Sequence, residues 1–261
     1  MANFTALINI MNSSKWYSYL FICLLCFTAC RNTKRTESQI TSVQEQMVPG
    51  NPSGLNPESF ATYWTEESAS PESQLRFLGK DTIEIQAPKG YTLWRNEKIS
   101  GDCQIDYYAR VMDEGLPEDR LSDLNCFWKA SDPQAPDHIF ERKDWRQGIF
   151  EHYYSLQLYY LGYGGNSNST TRFRRYDGDF SSFQSKKIRP EVLVEYTDSL
   201  HLLKPNHWYH IRIVCQGNRV QYFMDNELIV DFEDPSPLLT GWFGFRTTQA
   251  RVQLTGFTYE N

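Results

Sequence analysis

Short segments in which apolar and polar residues alternate recur from about residue 59 to the C-terminus. Between Asp102 and Val111, the odd-numbered positions are apolar, whereas most even-numbered positions are polar or charged. A period of two residues places successive side chains on opposite faces, so this pattern predicts a half-buried strand of an antiparallel sheet. More than ten such segments occur between turn residues, and no segment of a dozen residues has helical periodicity. The pattern predicts an all-β sandwich of two antiparallel sheets.

Residues 159–176 are rich in tyrosine, glycine, asparagine and arginine, and they predict two strands joined by a tight turn. Gly164 and Gly165 allow backbone angles that other residues avoid, so the turn is expected there. Asn166 and Asn168 follow in the turn, where their amide groups could bind a ligand. The simpler alternative is a polar hairpin whose side chains are only solvated.

The second strand of this hairpin carries three arginines. If Phe173 packs into the core, alternation places Arg172, Arg174 and Tyr176 together on the opposite face. Guanidinium groups bind carboxylates through paired hydrogen bonds, and tyrosine rings stack on sugars. We therefore expect Arg172 and Arg174 to bind an anionic or hydroxyl-rich ligand, with Tyr159 on the preceding strand as a further contact.

Two tryptophans near the hairpin are candidate platforms for sugar rings. Trp128 lies in a predicted strand, and Trp145 lies in a long predicted loop at residues 131–148. Long loops in compact β-domains often carry function. Residues 149–161 then predict a tyrosine-rich strand with His152 on one face. Ordinary packing is the alternative for both tryptophans, and a structural histidine is the alternative for His152.

Composition and charge narrow the class of ligand. Aromatic residues make up 15% of the chain, which suits a β-protein with aromatic-lined grooves. The formal net charge is −6. An acidic protein is a poor candidate for general nucleic-acid binding, so no nucleic-acid partner is expected. The arginine cluster is therefore a local exception to an acidic background.

The first thirty residues predict a targeting segment. Lys15 precedes an apolar run that ends in Phe27-Thr28-Ala29-Cys30. A positive flank, a short apolar run and small residues before a cleavage site are typical of a signal peptide. The ending is similar to the lipobox of bacterial lipoproteins, which implies cleavage before Cys30 and lipidation of its sulfur. Ordinary secretion after cleavage near Ala29 is the alternative.

This interpretation divides the chain into three parts. Residues 1–29 are expected to be the signal peptide, and residues 30–58 the lipidated cysteine and a disordered linker. Residues 59–261 are expected to be the β-sandwich domain. The lipid would anchor that domain to a membrane of the cell envelope, as an outer-membrane lipoprotein on the periplasmic or cell-surface face.

Three cysteines remain in the predicted domain, namely Cys103, Cys126 and Cys215. An odd number permits at most one internal disulfide and leaves at least one free thiol. Each cysteine lies in an apolar, strand-like run, so buried free thiols are equally consistent with the sequence. The sequence therefore allows either a single disulfide or three free thiols.

Two parts of the sequence resemble the concanavalin A-like lectin/glucanase superfamily. The chain reads His-Trp-Tyr-His-Ile-Arg-Ile from His207 and Val-Gln-Tyr-Phe-Met-Asp-Asn from Val220, where the superfamily has W-Y-x-I-x-I and V-x-Y-x-x-D-G. Residues 241–257 also fit it. Residues 163–176 resemble a branch found among polysaccharide-degrading systems of Gram-negative bacteria, near enzymes that attack pectin-like glycans. The resemblance implies a concanavalin A-like jelly roll whose concave face meets a carbohydrate.

The candidate function is binding or processing of an acidic polysaccharide or oligosaccharide. A polysaccharide lyase needs a cation or amide to neutralise the uronate carboxylate and a base to remove a proton. His152, Tyr176 and Tyr159 are the candidate bases, and Arg172 is the candidate neutralising group. A glycoside hydrolase needs two carboxylates, but the E-x-D-x-E strand of the resembled glucanases does not occur in this sequence. The sequence is also consistent with a non-catalytic binding module and with a structural, partner-binding lipoprotein.

No cofactor is expected, and no metal ligand is assigned. The one open question is a structural calcium ion, for which clustered Asp and Asn oxygens would be needed. The turn Asp177-Gly178-Asp179 is the best local candidate.

Overall fold

Fourteen strands lie in the residues that the computed structural model describes, which are 52–117, 119–185 and 189–261. The strands are β1 (Trp64–Ser68), β2 (Gln74–Phe77), β3 (Thr82–Ala87), β4 (Tyr91–Ser100), β5 (Cys103–Val111), β6 (Leu124–Ser131), β7 (Gln157–Gly164), β8 (Thr170–Asp177), β9 (Val194–Tyr196), β10 (Tyr209–Gln216), β11 (Arg219–Met224), β12 (Glu227–Glu233), β13 (Thr240–Thr247) and β14 (Ala250–Glu260). Short helices occupy Phe60–Tyr63, Lys143–Arg146 and Phe180–Ser185. Short 3-10 helices occupy Ile139–Arg142, Phe150–Ser155 and Ser199–His201.

The strands form two seven-stranded antiparallel sheets. The front sheet has the order β1-β4-β13-β6-β7-β8-β9, and the back sheet has the order β12-β11-β10-β5-β14-β3-β2. Strands that are distant in sequence are neighbours in both sheets, as in a jelly roll. The predicted all-β sandwich of two antiparallel sheets is confirmed.

The main core lies between the inner faces of the two sheets. Strand β5 alternates between buried and half-buried residues along its whole length, as its sequence pattern predicts. Phe173 of the front sheet is fully buried in this core, where its ring stacks on Trp128. Burial of this apolar face is the main driving force for assembling the sandwich.

Packing against the sandwich begins on the N-terminal side of the predicted domain boundary at residue 59. Leu55 is buried in the main core. The carbonyl of Ser53 accepts hydrogen bonds from Trp64 Nε1 at 2.8 Å and from Arg95 Nη1 at 3.0 Å. The predicted signal peptide, Cys30 and most of the predicted linker lie outside the described residues. Within those residues, no helix combines the length and the apolar character that a membrane span requires.

A second apolar cluster lies on the outer face of the front sheet. Residues 132–156, which join β6 to β7 and which we call the insertion, cover part of that face. Sheet residues Trp94 and Phe127 pack there against Tyr153 of the insertion, with ring centroids 5.1–6.1 Å apart. The front sheet is therefore buried on both faces where the insertion covers it.

The prediction of one strand over residues 149–161 is wrong in its first half. Phe150–Ser155 forms a 3-10 helix, and β7 begins only at Gln157. Adjacent tyrosines occur in both the 3-10 helix and β7. Apolar and polar positions therefore do not alternate, and the sequence does not distinguish an inner face from an outer face. Tertiary packing of Tyr153 and Tyr154 under the insertion decides the conformation.

A buried ion cluster holds the insertion to the front sheet. Arg146 is fully buried and donates from Nη2 to Glu67 Oε1 at 2.6 Å and from Nη1 to Asp132 Oδ2 at 3.2 Å. Arg142 adds a second cation on Asp132, at 3.0 Å. The Tyr153 hydroxyl donates to Glu67 Oε2 at 2.6 Å. Because each carboxylate is satisfied by charged or hydroxyl donors, the cluster can persist away from water.

Candidate functional site

A line of seven residues crosses the outer face of the front sheet from one edge to the other. Residues that are paired across adjacent antiparallel strands point to the same face of a sheet. The strand registers connect Glu67, Thr92, Arg246, Asn125, Gly162, Arg172 and Glu195 in that order. We call this line the polar row. Arg172 belongs to it because its neighbour Phe173 fills the core, as alternation predicts.

A second line, the aromatic row, runs beside the polar row. Strand registers connect Trp94, Gly244, Phe127, Tyr160 and Arg174 in that order. The insertion covers the Trp94 end of this row. Near the other end, Tyr160 and Arg174 line an open groove.

Gly162 allows the Tyr160 side chain to lie along its own strand. A Cβ atom at Gly162 would be 2.4 Å from the Tyr160 hydroxyl oxygen, which is too close for any real contact. The hydroxyl therefore sits above the polar row at the one position without a side chain. Burial raises the pKa of Tyr160, so the hydroxyl stays protonated at neutral pH and can donate a hydrogen bond.

The groove lies between the insertion, the β7–β8 turn and the segment around residue 190. Its floor includes Gly162, Arg172 and Arg174. Phe150 and Tyr154 of the insertion line it as aromatic side chains. A groove of this kind offers ring faces for stacking and charged groups for orientation.

The charges that line the groove are mainly positive, although the chain as a whole is acidic. Among the described residues, four arginines and two carboxylates line it, namely Arg120, Arg172, Arg174, Arg189, Asp123 and Glu151. A fifth arginine, Arg246, lines the adjoining part of the same face. This local excess of guanidinium groups favours an anionic ligand.

Neighbouring groups fix the orientation of the two floor arginines. Arg172 donates from Nε and Nη2 to Glu195 Oε1, at 2.8 and 2.6 Å. Arg174 donates from Nη1 to the carbonyl of Pro190. Both side chains are therefore held in place before a ligand arrives, which lowers the entropy that binding would cost.

Asp123 closes one end of the groove in a conformation that is unusual for a residue with a side chain. Its φ is 62°, in the left-handed region. Its carboxylate accepts hydrogen bonds from Arg120 and from the Ser122 hydroxyl, and Arg120 also donates to the Thr248 carbonyl at 2.9 Å. These contacts compensate for the backbone cost and join two chain segments, residues 120–123 and the segment at Thr248, at this end.

The two asparagines predicted as ligand contacts have different surroundings. Asn166 is exposed and lines the groove, in a turn where Asn166, Ser167 and Asn168 all have positive φ. The Asn168 side chain instead donates to the Leu203 carbonyl at 2.9 Å and accepts from the Leu203 N–H at 2.8 Å. Asn168 therefore ties the turn to a neighbouring loop.

Three predicted site residues are buried and do not line the groove. Trp128 and Tyr159 point into the main core and are fully buried, and the Tyr159 hydroxyl donates to Asp234 Oδ2 at 2.6 Å. Tyr176 shares the face of Arg172 and Arg174, as expected, but Tyr154 and Tyr160 cover it. Burial raises the pKa of the Tyr176 hydroxyl, so it is not a base at neutral pH. Trp128 and Tyr159 have no free ring face for a sugar.

His152 and Trp145 lie together in the insertion rather than in the groove. Their rings stack with centroids 4.3 Å apart, and His152 Nδ1 is 2.7 Å from the Trp145 carbonyl oxygen. The Arg142 guanidinium lies 4.1 Å from the Trp145 ring centroid. The residues that line the groove with Arg172 and Arg174 do not include His152, since residues 150–155 are helical and place the imidazole against Trp145.

Sequence reasoning missed Tyr160, Glu151 and Asp123 as groove residues and Asn125 on the adjoining part of the same face. For Tyr160 a signal existed, because alternation from Phe173 through the hairpin register pairs Tyr160 with Arg174 on the outer face. The other three had no local signal. They meet only because the insertion and the β5–β6 loop fold over the same sheet.

The described residues hold no group of three or more His, Cys, Asp or Glu side chains that could bind a metal ion. In the proposed calcium turn, Asp177 instead accepts a hydrogen bond from Arg175. Asp179 Oδ2 accepts one from the Ser181 hydroxyl at 2.6 Å.

The fold is similar to several solved structures. A Bacillus subtilis protein of unknown function with a galectin-like fold matches with a TM-score of 0.62 and 15% identity, over 80% of this chain and 93% of that chain. The carbohydrate recognition domain of Emp46p matches with a TM-score of 0.54 and 9% identity, over 81% and 95% of the two chains. The VIP36 exoplasmic/lumenal domain, bound to Ca²⁺ and Man3GlcNAc, matches with a TM-score of 0.52 and 12% identity, over 79% and 86%. At such identities these matches establish a shared fold.

Sequence comparison gives the family. A search of curated proteins finds no match to this chain. One family model, described as a domain of unknown function (DUF6250), matches residues 85–257. That region runs from β3 to β14 and includes the insertion and the whole groove floor. The chain therefore belongs to the DUF6250 family.

Proposed function

We propose that this protein binds an anionic carbohydrate in the front-sheet groove. The observation that carries the proposal is the set of four arginines lining one open groove in an otherwise acidic chain. Two of the structurally similar proteins are described as a carbohydrate recognition domain and as a Man3GlcNAc complex, which agrees with this use of the fold. A uronate-containing oligosaccharide combines the carboxylates and ring faces that such a groove would recognise.

Each part of the groove has a role in this proposal. Arg172 uses Nε and Nη2 for Glu195, so Nη1 would be its donor to a uronate carboxylate. The Tyr160 hydroxyl would donate to a ring hydroxyl or a carboxylate above Gly162. Phe150 and Tyr154 would pack against the apolar faces of the sugar rings. The groove would thus recognise both the charge and the ring shape of the carbohydrate.

Binding is better supported than β-elimination. The candidate bases predicted from the sequence do not line the groove, because Tyr176 and Tyr159 are buried and His152 stacks on Trp145. Tyr160 does line it, but its raised pKa makes the hydroxyl a donor rather than a base. Glu151 and Asp123 would be the carboxylates to consider if a glycosidic bond were cleaved instead.

The location of this activity rests on the N-terminal segment. In our proposal, lipidation at Cys30 tethers the groove to a membrane of the cell envelope. A carbohydrate that reaches the envelope would then be held near the cell for further processing.

Calorimetry with a matched set of oligosaccharides tests the proposal. The full chain is expected to bind oligogalacturonides more tightly than their methyl esters, which keep the same sugar rings without the charge. Equal affinity for both would contradict the role of the arginines. No binding to charged, esterified or neutral oligosaccharides would contradict carbohydrate binding and favour a structural, partner-binding role. Ultraviolet absorbance of unsaturated uronate in the same mixtures would reveal β-elimination.

The Tyr160 hydroxyl gives a narrower test of the same groove. Tyr160→Phe removes one hydrogen-bond donor and keeps the ring that fills the aromatic row. We expect the dissociation constant for an oligogalacturonide to rise by about 2- to 10-fold, since a single hydrogen bond contributes about 0.5–1.5 kcal/mol. The melting temperature should stay close to that of the wild type. Tyr159→Phe is the matched control, because its hydroxyl lies in the core, and it should affect stability without a selective loss of affinity.

A further inference from the structure

Cys103 and Cys215 face each other across two central strands of the back sheet. Cys103 begins β5, Cys215 lies near the end of β10, and the two residues are directly paired in the strand register. Directly opposed residues of antiparallel strands have Cα atoms about 4.5–5.5 Å apart. A disulfide needs a Cα separation of about 4.4–6.8 Å. The backbone therefore already has the spacing that a disulfide requires.

The side chains of Cys103 and Cys215 are also placed suitably for a disulfide. Both point into the sandwich, and the two thiol groups are free in this structure and close enough to interact with each other. Their exposed fractions are only 6% and 7%, but the next residues outward, Asp102 and Gln216, are exposed. The pair thus lies at the end of the two strands, directly beside exposed residues.

The surroundings favour a thiolate at Cys103. The hydrogen bond with Cys215 has the largest effect and lowers the pKa of Cys103, and the nearby Lys129 lowers this pKa further, against the opposing effect of burial. Lys129 is itself buried, and its Nζ donates to the carbonyls of Gly101 at 2.8 Å and Ile99 at 3.2 Å. A thiolate is the nucleophile in disulfide exchange, so Cys103 is the better attacking group of the pair.

The third cysteine of the described domain is excluded by position and chemistry. Cys126 lies in β6 of the front sheet, so it is not a strand neighbour of the other two. Its exposed fraction is 1%, and burial raises its pKa to about 12. Cys126 therefore has neither a cysteine as strand neighbour nor the thiolate character that disulfide exchange requires.

We propose that Cys103 and Cys215 form a reversible disulfide that joins β5 to β10. The Cys103 thiolate attacks a low-molecular-weight or protein disulfide, which forms a mixed disulfide and releases one thiolate. Cys215 then loses its proton to solvent and attacks the Cys103 sulfur, which closes the new S–S bond and expels the second thiolate. The two cysteines lose two electrons, and the disulfide reagent gains them.

This bond would act on stability and leave the groove unchanged. It would connect two chain segments more than a hundred residues apart, and closing a long loop restricts the unfolded chain strongly. Both cysteines lie in the back sheet, whereas the groove lies on the outer face of the front sheet. The failure of the carbohydrate proposal would therefore leave this one intact.

Peptide mapping of the full chain tests the proposal. After incubation with glutathione disulfide and digestion without reductant, mass spectrometry should find one peptide pair linked through Cys103 and Cys215, which a dithiol separates. The oxidised wild type should melt about 10 °C above the reduced wild type. Cys215→Ser should abolish the linked pair and the shift in melting temperature, whereas Cys126→Ser should keep both. An oxidised wild type without that linked pair, or with a pair that contains Cys126, would overturn the proposal.

Discussion

Replacing Arg172 and Arg174 together by alanine is expected to weaken the binding of an oligogalacturonide by about 100-fold or more. A hydrogen bond to a charged group contributes about 1.5–3 kcal/mol, and two such contacts would be lost. Both guanidinium groups lie at the groove surface, with Arg172 held by Glu195. Calorimetry with the charged oligosaccharide and its methyl ester measures the change. The loss should be large for the charged form and small for the ester.

Arg219→Ala is the matched control for this double variant. Arg219 makes a two-nitrogen contact with Asp231, at 2.6 and 2.5 Å, that closely resembles the contact of Arg172 with Glu195. It lies on β11 of the back sheet, away from the groove. Its removal should leave the affinity unchanged. A double variant that binds as tightly as the wild type would show that the arginines of the front sheet do not carry binding.

Replacing Arg146 by methionine is expected to destabilise the domain by about 3–5 kcal/mol, since the change leaves the buried Glu67 carboxylate without its cation and Asp132 with Arg142 alone. For a domain of this size, that corresponds to a fall in the melting temperature of roughly 10 °C. The affected carboxylates are Glu67 and Asp132, whose side chains are 1% and 0% exposed. Thermal unfolding followed by circular dichroism measures the effect. An unchanged melting temperature would show that the ion cluster does not hold the insertion.

A compensating variant separates the charge effect from the loss of packing. Glu67→Gln and Asp132→Asn, added to Arg146→Met, remove the buried negative charges and should restore part of the lost stability. The single Arg146→Met variant should also bind the oligosaccharide more weakly, because Phe150, Glu151 and Tyr154 of the insertion line the groove. Restored stability without restored affinity would show that the insertion has refolded in another position.

The ion cluster links stability to the candidate function through one line of residues. Glu67 is the first member of the polar row, and Arg172 and Glu195 are its last two. Glu67 binds Arg146 beneath the insertion, whereas Arg172 lies in the open groove. The same face of the sheet is therefore a structural anchor at one edge and a candidate binding surface at the other.

The sequence predicted those features that depend on local alternation or on turn chemistry. Apolar residues at every second position in β5 gave its buried face correctly, because the strand period is two. The tight turn between β11 and β12 also follows local chemistry, because Asp225 and Asn226 adopt left-handed φ values of 51° and 66°, which these residue types tolerate. The shared face of Arg172, Arg174 and Tyr176 followed from the burial of Phe173.

Alternation within the tyrosine-rich strand could not assign its faces, and only its pairing with β8 carried that signal. Tyr159 and Tyr160 are both buried, one by the back sheet and the other by the insertion and its own aromatic row. A strand that is covered on both sides has no polar face, so alternation carries no information about which tyrosine meets a ligand. Trp128 was proposed as a platform for sugar rings but is buried in the core. An indole ring suits either position equally well, so the residue type alone does not distinguish them.

By itself, the sequence determined the fold class, the position of the turns and the residues that must share a face, because these depend on neighbours along the chain. Only the tertiary structure decided which of the predicted residues meet in one groove. The insertion folds back over the front sheet and turns His152 away, while it brings Glu151 beside Arg172 and Arg174. The register between β5 and β10 likewise pairs Cys103 with Cys215. Long-range packing and register set these contacts, and no local pattern encodes either of them.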